Sequence, residues 1–212
     1  MFVERTSRGA VAAAEPLAAA VGARILDDGG NAIDAAVAVG FALAVTYPAA
    51  GNIGGGGFLV YRPATGEPVA YDFREMAPLR AYPTMFMDGG AYDRVLHHDS
   101  HLAVGVPGTV AGLYLAWSDH GVLPWERLLA PAIALARDGF PVSNPLASSL
   151  ASVLPRMADY PASVAQFSND GAPYQTGETL RQGELADTLT RISEEGPAGF
   201  YQGLTAELIE QE

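Results

Sequence analysis

The stretch from Gly51 to Pro78, GNIGGGGFLVYRPATGEPVAYDFREMAP, constrains the fold more than any other part of the chain. Four consecutive glycines are followed by the apolar run FLVY, a loop rich in turn-forming residues, and a second strand-like run, VAYDF. This order predicts a β-hairpin with strands over residues 58–61 and 69–73. Because consecutive glycines lose much backbone entropy on folding, they indicate positive φ angles or a close approach by another chain segment or a ligand.

Arg74 lies just after the second predicted strand, between Asp72 and Glu75. A guanidinium offers five N–H donors in a planar fork, which suits bidentate binding of a carboxylate. The alternative is an ion pair with Asp72, Glu75 or another nearby acid, which is the commoner arrangement at protein surfaces. The spacing by itself leaves both interpretations open.

The composition indicates a globular protein with a substantial core, because 49% of the 212 residues are hydrophobic and only 17% are charged. The formal net charge is -12, and all 12 basic residues are arginines. We expect neither nucleic acid nor membrane as a partner, since both require a basic surface. Cysteine is absent, which excludes disulfides and thiolate chemistry. An acidic chain without lysine is typical of a salt-rich host and also of a GC-rich genome, and that choice stays open.

Two further motifs are candidates for a nucleotide-binding loop and for a metal site. GNIGGGGF lies between a predicted helix and a strand, whereas a nucleotide-binding loop follows a strand and opens a helix. His97, His98, Asp99 and His101 lie within five residues, but so compact a set is an awkward ligand geometry and is equally typical of a polar loop. A Ser/His/Asp triad in this loop is disfavoured because triad residues normally meet across the fold. We therefore expect no cofactor and no metal.

Helical periodicity predicts helices both before and after the hairpin in the chain. The predicted helices cover approximately residues 15–28, 31–47, 108–120, 124–138, 144–154, 180–195 and 198–209. Asn31 is a good N-cap for the second of these, with Asp34 in its first turn. Short strands are predicted over 9–13 and 103–106, and the segments 78–102 and 156–179 are predicted to be irregular. The residues thus indicate an α+β fold in which helices dominate.

Four blocks carry a family resemblance: GGNAIDAAVAVGFALAVTYPAAGNIGGGGF, DFREMAP, SHLAVGVPGTVAG and ARDGF. They follow one another as in the large subunit of bacterial gamma-glutamyltranspeptidases, and the chain resembles that family from about Gly9 to its last residue. The family belongs to the N-terminal nucleophile hydrolases, so the resemblance implies a helix-rich part of a four-layer α/β/β/α sandwich. It also implies that residues 1–212 form a single incomplete domain, the N-terminal portion of the large subunit.

The resemblance also implies roles for individual residues. By its position in DFREMAP, Arg74 binds the α-carboxylate of the γ-glutamyl substrate. We expect Glu75 to be a second substrate-binding residue, and Glu75 and Asp72 to orient the Arg74 guanidinium. In the family, the precursor cleaves itself and a threonine at the new N-terminus of the small subunit becomes the nucleophile. None of the ten threonines in this chain matches that site. No catalytic residue is therefore assigned, and the 212 residues alone are expected to be inactive.

The implied reaction is γ-glutamyl transfer from, or hydrolysis of, glutathione and related γ-glutamyl amides through a γ-glutamyl-enzyme intermediate. The implied partners are a small subunit, a γ-glutamyl donor, and an amino acid, peptide or water as acceptor. A glutaryl-type (cephalosporin) acylase, a poly-γ-glutamate depolymerase and an inactive structural fragment remain alternatives. We also expect the surface of this chain to expose apolar side chains that the missing half of the protein would cover.

The N-terminal segment Met1–Arg8 lacks the apolar core of a signal peptide. The longest apolar run, near Ala35 to Val45, is too short to span a membrane. We therefore expect a cytoplasmic protein as the sequence stands, and a periplasmic or extracellular one if a leader was removed.

Overall fold

A computed structural model describes residues 9–211, and helices account for most of its regular structure. The α-helices in this range are α1 (Pro16–Asp27), α2 (Ala32–Thr46), α3 (Arg94–His98), α4 (Thr109–His120), α5 (Trp125–Asp138), α6 (Asn144–Val153), α7 (Pro161–Phe167), α8 (Gly183–Glu195), α9 (Ala198–Tyr201) and α10 (Gly203–Gln211). Short 3₁₀ turns occur at His101–Ala103 and Leu154–Met157. The prediction of a helix-rich α+β chain is confirmed.

The strands of the described part pair as three antiparallel two-stranded sheets: β1 (Phe58–Tyr61) with β2 (Val69–Asp72), β3 (Met87–Asp88) with β4 (Ala91–Tyr92), and β5 (Phe140–Pro141) with β6 (Thr179–Leu180). The predicted hairpin is confirmed as β1–β2, in a register that places Phe58 opposite Asp72 and Tyr61 opposite Val69. Gly66 adopts a φ of 95° in the connecting loop, a conformation that glycine reaches without strain.

Helix α2 lies at the centre of the core. It is buried on most sides, and α1, α4 and α5 pack around it. Its many alanines allow this close approach, while Phe41 packs edge-on against Trp125 of α5 with ring centroids 5.5 Å apart. The predicted cap is confirmed: Asn31 accepts from the backbone N–H of Asp34 at 3.0 Å, and Asp34 accepts from that of Asn31 at 2.9 Å.

Several predicted elements are wrong in detail. Residues 9–13 form no strand, and residues 103–106 hold a 3₁₀ turn and a single bridge between Met76 and Val106 instead of a strand. Leu180 belongs to β6 rather than to helix α8, because it pairs with Phe140 of β5. The segments predicted to be irregular contain α3, β3, β4 and α7. The last predicted helix is interrupted at Gln202, which is extended, and Gly203 begins α10 with a φ of 58°.

The surface carries exposed apolar side chains, as predicted. On strand β1, Phe58 and Val60 alternate outward and are 63% and 73% exposed as residues, and Met76 just after β2 is 70% exposed. Within residues 9–211, no helix is both long enough and apolar enough to cross a membrane. The N-terminal segment Met1–Arg8, on which the expectation about a leader rests, lies outside the described residues.

Candidate functional site

Arg74 lies where the hairpin ends and meets the glycine loop. The β1–β2 ladder continues by one pair, because Phe73 N–H donates to the Gly57 carbonyl at 3.0 Å and Gly57 N–H donates to the Phe73 carbonyl at 3.4 Å. On the other side of Arg74, Met76 and Val106 exchange backbone hydrogen bonds of 3.2 and 2.8 Å. The backbone of Arg74 is therefore held on both sides, which restricts the positions that its side chain can take.

The Arg74 guanidinium is paired on one edge and open on the rest. Its Nε and Nη2 atoms each lie 3.4 Å from an oxygen of the Asp72 carboxylate. Its Cζ lies 4.9 Å from the centroid of the Phe58 ring, a cation–π distance. The side chain is 62% exposed. Since a guanidinium has five N–H donors, three make no hydrogen bond to any residue of the described range.

The Asp72 carboxylate contacts one edge of the Arg74 guanidinium and so restricts its orientation. The Arg74 backbone N–H donates to Asp72 Oδ1 at 3.1 Å, and this bond, followed by those from the guanidinium, lowers the pKa of Asp72. Both partners are exposed, so the ion pair adds little to stability and acts mainly on orientation. The Glu75 carboxylate forms no hydrogen bond or ion pair within residues 9–211, so of the two acids considered, Asp72 alone contacts the guanidinium.

The glycine loop docks onto the start of helix α4. The Gly55 carbonyl accepts from the backbone N–H groups of Gly108 and Thr109 at 2.7 and 3.0 Å. Asn52 Oδ1 accepts from Gly55 N–H at 2.9 Å and from Thr109 Oγ1 at 2.7 Å. These bonds satisfy helix-start N–H groups that have no partner inside the helix. The loop therefore joins the hairpin to α4.

A cleft of about 580 Å³ opens beside Arg74. Its wall is mostly apolar and includes Phe73, Met76, Val106 and Leu115. Tyr201 of α9 closes one side, where its hydroxyl donates to the Pro107 carbonyl at 2.9 Å and burial raises its pKa. The lining residues include no serine, threonine, cysteine or histidine. The cleft thus offers a cation and apolar contact, but no nucleophile.

The histidine-rich loop lies at a different place. His98, Asp99 and His101 line a second cavity of about 770 Å³, which shares no lining residue with the cleft at Arg74. His97 instead packs on the Phe86 ring with centroids 4.3 Å apart. Across the described residues, no group of three or more His, Cys, Asp or Glu side chains is arranged to hold a metal ion.

Sequence reasoning did not assign the far wall of the cleft. Leu115 and Tyr201 reach it from α4 and α9, about 40 and 130 residues beyond Arg74. Val106, also in the lining, belongs to the SHLAVGVPGTVAG block, which sequence reasoning used only for the family resemblance. Nothing in the sequence around Tyr201 marks it, because its contribution depends on how α9 packs.

Comparison with known proteins gives a consistent result. The sequence model of the family described as Gamma-glutamyltranspeptidase matches residues 18–212. The protein named glutathione hydrolase proenzyme from Escherichia coli (strain K12) is 49% identical over 213 residues, which cover 98% of this chain and 36% of that protein. The structure of Helicobacter pylori gamma-glutamyltranspeptidase matches with a TM-score of 0.96 and 47% identity, over 99% of this chain and 61% of that one. A cephalosporin acylase from Bacillus halodurans matches with a TM-score of 0.81 and 30% identity, over 99% and 41%.

The fold is therefore that of a part of an N-terminal nucleophile hydrolase, which confirms the fold class expected from the resemblance. The chain belongs to the gamma-glutamyltranspeptidase family. It spans about a third of the length of the curated relatives it matches, 36% of one and 35% of another.

Proposed function

We propose that this chain is the N-terminal portion of the large subunit of a gamma-glutamyltransferase or glutathione hydrolase. In this proposal, residues 1–212 belong to a single domain that is incomplete without further chain. The family membership, the 49% identity to a glutathione hydrolase proenzyme and the TM-score of 0.96 with a gamma-glutamyltranspeptidase support it. The donor is glutathione or a related γ-glutamyl amide, and the acceptor is water, an amino acid or a peptide.

The proposed role of Arg74 is to bind the α-carboxylate of the donor. The observation that carries this role is the exposed guanidinium at the edge of the cleft, oriented by Asp72 and still holding three N–H donors. Two of those donors suffice for a bidentate carboxylate, and the paired charges make each bond stronger than a neutral one. The apolar wall at Met76 and Leu115 would contact the rest of the donor. Glu75 is proposed as a secondary contact to the donor.

The nucleophile in this proposal comes from a partner. The cleft lining contains no hydroxyl other than the phenols of Tyr71 and Tyr201, and Tyr201 donates its proton to a carbonyl. A threonine at the N-terminus of a small subunit, with its own α-amino group as base, would supply the attack on the γ-carbonyl. The 212 residues would therefore form one wall of the active site and show no turnover alone.

We call the proposed binding of the donor α-carboxylate by Arg74 the clamp. Substituting Arg74 in the complete, self-cleaved enzyme tests it. We expect Arg74→Ala to raise the KM for a γ-glutamyl anilide about 10- to 100-fold, because hydrogen bonds to a charged group contribute about 1.5–3 kcal/mol. Arg74→Lys should restore little of this loss, since an ammonium is a point charge without a fork. Self-cleavage, followed by denaturing electrophoresis, should continue in both variants.

The matched control is Arg62→Ala. Arg62 is an exposed arginine of the same hairpin, but its guanidinium donates to the Gly66 carbonyl in the opposite turn. The KM should stay within about twofold of the parent value in this variant. A donor KM that is unchanged by Arg74→Ala would refute the clamp.

A second function has specific support. The match to a cephalosporin acylase structure, at a TM-score of 0.81 and 30% identity, supports an acylase as the second candidate. In this alternative the acyl group would be of the glutaryl type. Such a donor also carries a carboxylate for Arg74 but lacks the α-amino group. Comparing kcat/KM for γ-glutamyl and glutaryl anilides therefore separates the two: we expect the γ-glutamyl donor to be preferred, and a preference for the glutaryl donor would assign the acylase.

A further inference from the structure

Three glycines pack closely against residues 73–75, the segment that includes Arg74. Gly56 comes from the glycine loop, Gly108 precedes helix α4, and Gly112 lies in its second turn. A methyl group placed on any of them would meet residues 73–75 at less than 3.0 Å, a separation that real Cβ atoms do not show. We call Gly56, Gly108 and Gly112 the glycine seat.

Gly56 and Gly108 contact the main chain of the arginine segment. A Cβ on Gly56 would lie 2.5 Å from the Phe73 carbonyl oxygen, 2.7 Å from Arg74 Cα and 2.8 Å from Glu75 N. A Cβ on Gly108 would overlap the Phe73 carbonyl oxygen and lie 3.1 Å from the Arg74 carbonyl oxygen. These neighbours are backbone atoms, which cannot rotate away as the end of a flexible side chain can.

Gly112 contacts the side chain next to the arginine. A Cβ there would overlap Cβ, Cγ and Cδ1 of Phe73. Glycine inside a helix is unfavourable relative to alanine, so its presence in α4 has no local structural benefit. The space that it leaves is occupied by Phe73, which brings β2 against the helix and fixes the residue before Arg74.

We infer that the three glycines of the seat are positioning residues for Arg74. By fixing the backbone of residues 73–75, they determine where its guanidinium meets the donor carboxylate. This inference rests on the proposed clamp. None of the three offers a side chain to the donor, so they act through Arg74. A shift of the 73–75 backbone by several tenths of an ångström moves the end of a long side chain further, and misplacement by about 1 Å can cost about 100-fold in rate.

The glycine loop itself offers a graded test in the complete enzyme. Gly54, Gly57 and Gly56 belong to one run, but an added Cβ meets nothing within 4 Å at Gly54, the Phe73 ring at 3.2 Å at Gly57, and backbone at 2.5 Å at Gly56. We expect Gly54→Ala to leave the KM for a γ-glutamyl anilide unchanged, Gly57→Ala to raise it two- to threefold, and Gly56→Ala to raise it at least tenfold. The kcat at saturating donor should change less than the KM.

A double-mutant cycle distinguishes positioning from general damage. If Gly56 acts through Arg74, Gly56→Ala should have no further effect on kcat/KM once Arg74→Ala is present. Equal effects in the two backgrounds would overturn the inference, as would a KM rise of the same size in Gly54→Ala. If Gly56→Ala does not fold, the same double-mutant cycle can be measured with Gly57→Ala and Arg74→Ala. The same two outcomes would then support or overturn the inference.

The two proposals can fail separately. Should Arg74→Ala raise the KM while Gly56→Ala and Gly57→Ala leave it unchanged, the clamp stands and the glycine seat is overturned. Should Arg74→Ala leave the KM unchanged, the clamp is overturned and the seat with it. Gly112→Ala tests the contact made by helix α4. We expect it to raise the KM as Gly56→Ala does, and to have no further effect on kcat/KM when Arg74→Ala is also present.

Discussion

Tyr71 is the buried residue of strand β2, three positions before Arg74. Its hydroxyl donates to Asp119 Oδ2 of α4 at 2.9 Å, and the ring of His120 packs edge-on against it at 6.3 Å. Burial, followed by the hydrogen bond to Asp119 and the charge of that carboxylate, raises the pKa of Tyr71 to about 12. The strand that leads to Arg74 is thus joined to α4 by a phenol that resists ionisation.

This pKa predicts a loss of stability in alkali. In the unfolded chain the phenol ionises near pH 10, whereas in the folded chain it keeps its proton until about pH 12. Because the unfolded state then binds fewer protons, the free energy of unfolding should fall as the pH rises from about 10 to 12. We expect Tyr71→Phe to reduce this slope, measured as the urea midpoint at pH 9, 10 and 11. An identical slope in the variant would contradict the assignment.

The position of Arg74 was predictable, and its contacts were only partly so. A strand that ends near Asp72 followed by Arg74 can be recognised from residue types, and the structure places the arginine there. The sequence left an ion pair and a free fork as alternatives, yet the structure holds both at once, because Asp72 occupies one edge of the guanidinium. Which N–H groups stay open depends on side-chain geometry that residue spacing does not specify.

Among the elements, α2 is held at its first turn by a carboxylate with distant partners. Asp34 is fully buried and completes the cap with Asn31. It also accepts the backbone N–H of Val122 at 3.1 Å and that of Leu123 at 3.4 Å, from the segment between α4 and α5. The cap was predicted from the sequence. The contacts across nearly 90 residues were not, because they depend on how α4 and α5 pack on α2.

Removing this carboxylate should therefore destabilise more than an ordinary cap mutation. We expect Asp34→Ala to lower the free energy of unfolding by about 2–4 kcal/mol, because it removes the cap and leaves buried N–H groups without a partner. Asp27→Ala is the matched control, since Asp27 is an exposed acid in the last turn of the neighbouring helix α1. Denaturant unfolding of both variants gives the comparison, and equal losses would show that neither the cap nor the contacts to Val122 and Leu123 contribute.

The elements that sequence reasoning placed wrongly are those stabilised by remote partners. Leu180 has helical spacing with the residues after it, but pairing with Phe140 draws it into β6. The helices with a strong cap or an apolar stripe, such as α1 and α5, were predicted to within a few residues. Periodicity reports the local preference of a segment, whereas two-residue strands exist only because their partners lie beside them.

For the whole molecule, the exposed apolar side chains predict self-association of the isolated chain. Phe58, Val60 and Met76 project from the hairpin region, and Leu79 beyond it is fully exposed. Patches of this kind are typical of surfaces that another chain covers. We expect the 212-residue polypeptide, expressed alone, to bind a hydrophobic dye and to elute as oligomers in size-exclusion chromatography with light scattering. If the proposed small subunit covers these side chains, co-expression with it should abolish both.

A variant locates this effect on the hairpin. Val60→Thr removes apolar surface while keeping a residue that is suited to a strand. It should reduce dye binding and oligomer content of the isolated chain, whereas Val122→Thr, also exposed but in the segment between α4 and α5, should have a smaller effect. A monodisperse monomer from the parent chain, without dye binding, would contradict the prediction.

The glycine seat also bears on the order in which the protein assembles. The three glycines of the seat and residues 73–75 all lie between Gly56 and Gly112, a span of fewer than sixty residues. Closing so short a loop has a small entropic cost compared with joining distant parts of a long polypeptide. During synthesis, the backbone of residues 73–75 would thus be held in place as soon as α4 leaves the ribosome, before the helices that follow α4 have folded.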